Sequence, residues 1–172
     1  VDEVLGFGDQ SSAAVDLCHL LIDREPRRVS ATALGDPPED LRSLVNYTIT
    51  LDYGAASAHI VFNESGGAGH PRERLTVLAK GQVAILEDFE MLRLHGRAEK
   101  RVKQKRDMGH GEQLRQFIKA VRGDANTLLS WPETLRATTC LFAAQESLET
   151  GRAVDLDDFR LRLRDAGEGP EL

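Results

Sequence analysis

Two predicted β-hairpins, which lie within residues 72–123, constrain the fold more than any other part of the sequence. The first hairpin joins residues 74–79 to residues 82–86 through a Lys80-Gly81 turn. Two-residue hairpin turns need positive φ angles, which glycine adopts without steric cost. The second hairpin is predicted within residues 91–105, again with a glycine in its turn. Paired hairpins of this kind predict an antiparallel sheet.

A helix is predicted directly after these hairpins, beyond Gly109. Its apolar residues recur at i, i+3, i+4 and i+7, which marks one face of an α-helix. These residues are Leu114, Phe117, Ile118 and Val121. Gly123 is the predicted end of the helix. Hairpins followed by a helix predict an α+β layer.

The rest of the chain adds more strands and two further helices. The helices are predicted over residues 9–22 and 131–150, the second with a Ser130/Glu133 capping box. Strands are predicted over residues 29–34, 45–52, 56–62 and, briefly, 153–156. We therefore expect an open-faced, mostly antiparallel sheet of about six or seven strands with helices on one face. This α+β domain is predicted to span residues 1–156, and residues 157–172 are expected to form a charged surface tail.

One face of the predicted sheet is rich in hydroxyl groups. Alternation along the strands places the following residues away from the helices: Ser30, Thr32, Asn46, Thr48, Thr50, Ser57 and His59. Three interpretations remain open for this face. It is a solvated surface, a subunit interface formed by the small side chains Thr48, Thr50 and Ser57, or a surface that binds a polyol.

Composition and charge exclude several classes of protein. A chain of 172 residues with 41% apolar residues is typical of one globular domain. The net charge of −6 argues against a nucleic-acid partner, and no run of residues is long and apolar enough to span a membrane. A basic run over residues 93–106 contains no aromatic residue for base stacking, so we interpret it as protection of a sheet edge.

Few residues suggest chemistry by themselves. Cys18 and Cys140 lie among apolar residues, which predicts free thiols of a cytoplasmic protein, and no metal-ligand spacing is present. His19 is expected at the surface or beside a carboxylate. His110, at the predicted start of a helix, is expected to cap that helix or to face a ligand. His59, on the hydroxyl-rich face, is a further candidate for ligand binding.

Five segments, taken in order, resemble a known family. They are residues 71–77 (PRERLTV), 84–89 (AILEDF), 106–110 (RDMGH), the helix that contains Glu112, and residues 146–152 (ESLETGR). Their order and spacing are similar to the C-terminal domain of Gfo/Idh/MocA oxidoreductases, the glucose-fructose oxidoreductase and inositol dehydrogenase family. The similarity is greatest to a branch in which this unit is fused to a zinc-type alcohol dehydrogenase. It extends from Gly8 to about Leu156.

This resemblance implies a role in a larger enzyme. In the family, an N-terminal Rossmann domain binds NAD(P), and the C-terminal domain supplies the substrate wall and the dimer interface. The chain resembles only the second part, because it has neither a glycine-rich pyrophosphate loop nor the family's Glu-Lys-Pro segment. We therefore expect no cofactor to bind to this chain alone, and NAD(P) to act only when a Rossmann domain is supplied in cis or in trans.

The resemblance also identifies candidate site residues on the first helix. The family pattern of an acid, a histidine four residues later and an aspartate after three more aligns with Asp9, Ala13 and Asp16. An alanine methyl group cannot transfer a proton, so the usual acid/base group is absent. No residue is assigned as catalytic. The candidates for substrate binding are Asp9, Asp16, Thr32, His59 and His110.

Three functional hypotheses follow. The first is a substrate-binding domain that forms a homodimer through its open sheet face, holds a small polyol or sugar-like ligand and has no redox activity alone. The second is a relative recruited to isomerase, lyase or cyclase chemistry on a polyol or biosynthetic intermediate. The third is a partner subunit for a separate chain that carries a Rossmann domain. Because the sequence begins with Val1 rather than methionine, we also expect a fragment of a longer protein as an alternative to a complete one.

Overall fold

The structure is a computed structural model that describes residues 11–36, 44–124 and 130–167. The chain divides into two compact units, each with its own four-stranded sheet. The first unit contains residues 1–65 and 129–172, and the second contains residues 66–128. The predicted α+β class is confirmed. The elements in chain order are α1 (Ser11–Ile22), β1 (Arg28–Ala33), β2 (Tyr47–Asp52), β3 (Ser57–Phe62), β4 (Arg74–Ala79), β5 (Gln82–Glu87), β6 (Met91–His95), β7 (Lys100–Lys103), α2 (His110–Val121), α3 (Trp131–Thr150), β8 (Val154–Asp155) and α4 (Leu156–Gly167).

The sheet of the first unit, here called the first sheet, has the order β3-β2-β1-β8 and is antiparallel throughout. Strict alternation along β2 separates its two faces, because Tyr47, Ile49 and Leu51 are buried whereas Thr48 and Thr50 are only half-buried. Helices α1 and α3 pack on the buried face. Alternating side chains of a strand point to opposite faces, so the hydroxyl-rich residues lie on the side away from the helices.

Small side chains let α3 lie close to the first sheet. Ala143 and Ala144 are fully buried, and the Ala31 amide of β1 donates a hydrogen bond to the Ser147 hydroxyl of α3 at 2.9 Å. The start of α3 follows the sequence prediction, because the Ser130 amide donates to the Glu133 carboxylate at 2.7 Å. Its end at Gly151 has a positive φ of 66°. Helix α3 is therefore fixed by local signals at both ends.

The sheet of the second unit, here called the second sheet, is an antiparallel meander with the order β4-β5-β6-β7. The predicted Lys80-Gly81 turn is confirmed, with positive φ at both residues. A turn at Asp88 and Phe89 joins the two predicted hairpins into one sheet. The basic strand β7 lies at the sheet edge, where charged side chains discourage pairing with another strand.

The second unit contains no buried residue among those described. One face of its sheet, here called the leucine face, is nevertheless apolar in two adjacent rows across the strands. One row joins Leu75, Leu86, Leu92 and Val102, and the other joins Val77, Ala84 and Leu94. The apolar side of α2 is also exposed at Leu114, Phe117, Ile118 and Val121. Both surfaces have the composition of a core but remain accessible.

Two features differ from the sequence prediction. The strands form two sheets of four rather than one sheet of six or seven, because β3 and β4 do not pair within the described residues. The segment predicted as a charged tail from residue 157 contains helix α4 up to Gly167. Leu156 and Phe159 on this helix are buried in the core, and the Asp155 carboxylate accepts hydrogen bonds from the amides of Asp157 and Asp158. The many charged residues of the segment concealed this helix.

Candidate functional site

Asp16 occupies a half-buried position on α1, next to α3. Burial raises the pKa of its carboxyl group, while the nearby His19 and Arg136 oppose this shift. Within the described residues, the Asp16 carboxylate forms no hydrogen bond or ion pair. Unbonded carboxylate oxygens at a helix surface can accept hydrogen bonds from the hydroxyl groups of a ligand.

Ala13 lies three residues before Asp16 on α1, and its side chain is exposed. Residues three apart on a helix share a face, so the methyl group is a neighbour of the carboxylate. The alanine offers no proton donor or acceptor to a molecule bound beside Asp16. Asp9, the third member of the aligned pattern, lies outside the described residues.

Exposed apolar side chains occur on the same two helices. Leu20 of α1 is 77% exposed and Trp131 of α3 is 75% exposed. Leu21 and Leu135 are each 49% exposed. Helices α1 and α3 pack together and are here called the helix layer. This layer, which includes Asp16 of α1, presents apolar groups to solvent. Large exposed apolar side chains on two packed helices are candidates for a surface that another protein or domain covers.

His19 is buried, contrary to the expectation of a surface position, and only 7% of it is exposed. Its Nδ1 lies 3.2 Å from the Tyr53 hydroxyl, and its Nε2 lies 3.7 Å from Cys140 Sγ. Burial lowers the pKa of His19. The signal was present in the sequence, because Ser11, Val15 and His19 follow at intervals of four, and all three are buried.

His59 lies on the opposite side of the first sheet, between two hydroxyl groups. Its Nδ1 is 3.1 Å from Thr50 Oγ1, and its Nε2 is 3.3 Å from Ser57 Oγ. Thr32 and Thr48 form the adjacent cross-strand pair. These residues, together with Ser30, form what is here called the hydroxyl face. The structure therefore brings Thr32, Thr48, Thr50, Ser57 and His59 onto one face.

The described candidates of the first unit, Asp16, Thr32 and His59, lie on two sides of the first sheet. Asp16 belongs to the helix layer, whereas Thr32 and His59 lie on the opposite face of the first sheet. His110 belongs to the second unit, where it is exposed as the first residue of α2. Sequence alternation correctly grouped the hydroxyl face but did not show that Asp16 lies on its far side.

The described residues contain no group of three or more metal-ligating side chains. A shallow cavity of about 570 Å³ lies between the end of α3, β8 and α4. Its wall includes Arg162 and Glu146, which bind each other through two hydrogen bonds of 2.9 and 3.0 Å. No candidate residue lines this cavity, and its strongest polar groups satisfy each other, so it is not the preferred ligand site.

Solved structures with the same fold come from oxidoreductases. One is an oxidoreductase from Agrobacterium radiobacter in complex with NAD+, L-tartaric acid and magnesium, with a TM-score of 0.70 and 15% identity over 87% of this chain and 48% of that chain. Another is the UDP-N-acetylglucosamine 3-dehydrogenase GnnA from Acidithiobacillus ferrooxidans, with a TM-score of 0.70 and 14% identity over 86% of this chain and 48% of that chain. The chain has the fold of about half of each of these two structures. No protein-family profile and no curated protein matches the sequence.

The chain thus spans about half the length of the oxidoreductases that it matches. At this level of identity the similarity establishes the fold alone. In the part of the chain that the structure describes, every helix is too short or too polar to cross a membrane.

Proposed function

We propose that this chain supplies the substrate-binding and assembly half of a sugar or polyol oxidoreductase of the Gfo/Idh/MocA type, without redox activity of its own. The observation that carries the proposal is the match to half of each solved oxidoreductase, combined with the exposed apolar side chains on α1, which carries Asp16, and on α3, which packs against it. A dinucleotide-binding domain, in cis or in trans, would cover this surface and bring NAD(P) to it.

The described residues do not fit NAD(P) themselves. Every strand pair in both sheets is antiparallel. Dinucleotides are held by a glycine-rich turn between a strand and a helix of a parallel βαβ unit, and neither sheet provides one. We expect calorimetric titration with NADH or NADPH to give no binding tighter than about 1 mM, or about −4 kcal/mol. A micromolar dissociation constant for the isolated chain would refute the proposal.

We assign Asp16 the role of binding the hydroxyl groups of the substrate. A carboxylate can accept two charge-assisted hydrogen bonds from a polyol, each contributing roughly 1.5–3 kcal/mol. Asp16→Asn keeps the shape of the side chain and removes its charge. We expect myo-inositol or glucose, titrated as probes, to bind this variant about tenfold more weakly than the parent. Since burial raises the pKa of Asp16, removing the charge should not lower the melting temperature.

Thr32 and His59 lie on the opposite face of the first sheet from Asp16, so we do not assign them to that site. We expect His59→Gln, on the opposite face of the first sheet, to bind the probe as the parent does, which makes it the matched control. Equal loss of binding in Asp16→Asn and His59→Gln would place the ligand elsewhere. Loss of thermal stability in Asp16→Asn with unchanged probe binding would make Asp16 a structural residue.

A homodimer through a sheet face is the second part of the proposal, and two faces compete for it. The hydroxyl face offers the small side chains Thr48, Thr50 and Ser57. The leucine face offers seven apolar side chains, none of which is buried within the chain. Burial of apolar area stabilises association by about 25 cal/mol per Å², whereas hydroxyl groups must replace their bonds to water. We therefore favour the leucine face as the larger contributor.

Paired arginine variants distinguish these faces. Leu86 lies in the middle of the leucine face, and Thr76 lies on the other side of the same sheet. We expect Leu86→Arg to abolish the dimer in sedimentation velocity, because an unpaired charge would be buried in the interface, and Thr76→Arg to leave it intact. Dimer loss in Thr48→Arg alone would instead assign the interface to the hydroxyl face. A wild-type protein that stays monomeric at high micromolar concentration would contradict both interfaces.

The partner-subunit hypothesis is the alternative form of this proposal, and the exposure of Trp131 favours it. Trp131 is the single tryptophan of the chain, so its fluorescence reports directly on this helix layer. We expect a solvent-exposed emission maximum for the isolated chain and a blue shift when a dinucleotide-binding chain covers the helices. An emission maximum typical of a buried indole in the isolated chain would contradict the exposed surface on which the hypothesis rests.

A further inference from the structure

His19 joins three elements of the first unit at one buried point. The ring belongs to α1, its Nδ1 contacts the Tyr53 hydroxyl just after β2, and its Nε2 contacts Cys140 Sγ on α3. The Tyr53 ring also packs edge-on against the imidazole, with centroids 6.1 Å apart and an interplanar angle of 82°. A change in the charge of this ring therefore acts on α1, α3 and the end of β2 together.

The two partners suit a neutral imidazole. A neutral ring has one N–H donor and one acceptor nitrogen, and a hydroxyl or thiol group can serve as donor or acceptor. A protonated ring has two donors, and one of them would then point at sulfur, which is a weak acceptor. The positive charge would also lie in a site from which water is nearly excluded.

The charged groups around His19 do not compensate for this burial. They are Asp16 on α1, Glu25 in the following loop, Arg136 on α3 and Arg160 on α4. Glu25 is already bound by Arg136 at 3.1 Å and by Arg160 at 2.9 Å. Two guanidinium groups therefore neutralise the Glu25 carboxylate, which could otherwise pair with a charged imidazole. Cys18 and Cys140 stay uncharged because burial raises the pKa of both thiols.

We propose that His19 is an acid-sensitive contact between α1 and α3, and that its protonation between roughly pH 7 and pH 5 separates the two helices. Burial lowers the pKa of His19 in the folded protein below the value of about 6.5 for an unfolded chain. The stabilising contribution of the neutral ring is thus fully present above pH of about 6.5, and it is lost as the pH falls through that value toward the folded pKa. The opening exposes Cys140, which is 1% exposed in the folded protein.

The reactivity of Cys140 measures this opening. In a Cys18→Ala background, the rate at which the unfolded chain reacts with 4,4′-dithiodipyridine is divided by the rate for the folded protein at the same pH, which gives a protection factor. We expect this factor to fall about tenfold or more between pH 7.5 and pH 5.0. The fall should be absent in His19→Gln, which cannot be protonated, and it should persist in His59→Gln, which removes a histidine from the opposite face of the first sheet.

Two outcomes overturn the proposal: a protection factor of the parent that does not change with pH, and an equal fall in His19→Gln and the parent. If His19→Gln does not fold, the Hε1 resonance of His19 in the parent decides by NMR titration. A midpoint below the unfolded value of about 6.5 supports the proposed acid-sensitive contact, and a midpoint at or above that value refutes it.

Discussion

Ser147 completes the hydrogen bonding of β1 where the sheet itself cannot. Strand β8 pairs with β1 only at Arg28 and Val29, so the next amide on that edge, at Ala31, has no strand beside it among the described residues. The hydroxyl of Ser147 accepts that bond from α3 at 2.9 Å and is itself 1% exposed. A buried amide without an acceptor is costly, which explains a polar residue at the centre of the helix–sheet contact.

We predict that Ser147→Ala destabilises the protein by about 1–3 kcal/mol, because the Ala31 amide would remain buried without an acceptor. Urea unfolding followed by circular dichroism measures this change. The matched control is Thr138→Ala on the same helix, whose hydroxyl donates to the Thr134 carbonyl at 3.0 Å within the helix. Equal stability of the two variants would show that water replaces the serine hydroxyl.

Individual side chains show where sequence reasoning succeeds and where it stops. The Ser130–Glu133 cap and the Lys80-Gly81 turn were predictable, because each depends on residues adjacent in the chain. The partners of His19 were not, since Tyr53 and Cys140 lie 34 and 121 residues away. The side of the first sheet on which Asp16 lies was not predictable either, because it depends on how α1 packs and not on the neighbours of Asp16 in sequence.

At the scale of elements, the hairpins were predicted correctly but their connection was not. The turn between β5 and β6 has positive φ at Asp88 and Phe89, neither of which is glycine, so the usual sequence signal is absent. Hydrogen bonds to Glu73, the residue before β4, hold the turn instead. The Asp88 amide donates to the Glu73 carbonyl at 2.8 Å, and the Asp88 carboxylate accepts from the Glu73 amide at 3.1 Å. Tertiary bonds here support a conformation that the local residues disfavour.

Helix α4 has a highly charged sequence, yet it contributes a buried aromatic side chain to the core. Phe159 is 6% exposed, and the Arg162 guanidinium lies 5.3 Å from its ring centroid. We predict that Phe159→Ala costs about 3 kcal/mol in the free energy of unfolding, through lost burial and the cavity left behind. Leu161→Ala, at a position that is 55% exposed, should change this free energy by less than about 0.5 kcal/mol. Equal and small effects of the two substitutions on the free energy of unfolding would show that residues 157–167 form a surface tail.

At the scale of the whole molecule, the two units differ in how completely they bury their apolar residues. The first unit has a core that includes Val15, Val29, Ile49, Leu51 and Leu156, each with no exposed surface. The second unit has no buried residue among those described, although its leucine face is as apolar as the core of the first unit. Alternation in the sequence identifies an apolar face, but it cannot tell whether the chain covers that face or leaves it for another molecule.

Amide hydrogen exchange tests this difference and the proposed dimer together. Protection follows burial and packing, so the amides of β1, β2 and α3 should be well protected at every protein concentration. We predict that the amides of β5 and β6 exchange at least tenfold faster than those of β1 and β2 at low micromolar concentration, and that they slow markedly as concentration rises and the leucine face is covered. Leu86→Arg should remove the concentration dependence without changing exchange in β1 and β2. If β5 and β6 are strongly protected at the lowest concentration and insensitive to Leu86→Arg, the second unit is stable alone and the leucine face is not the dimer interface.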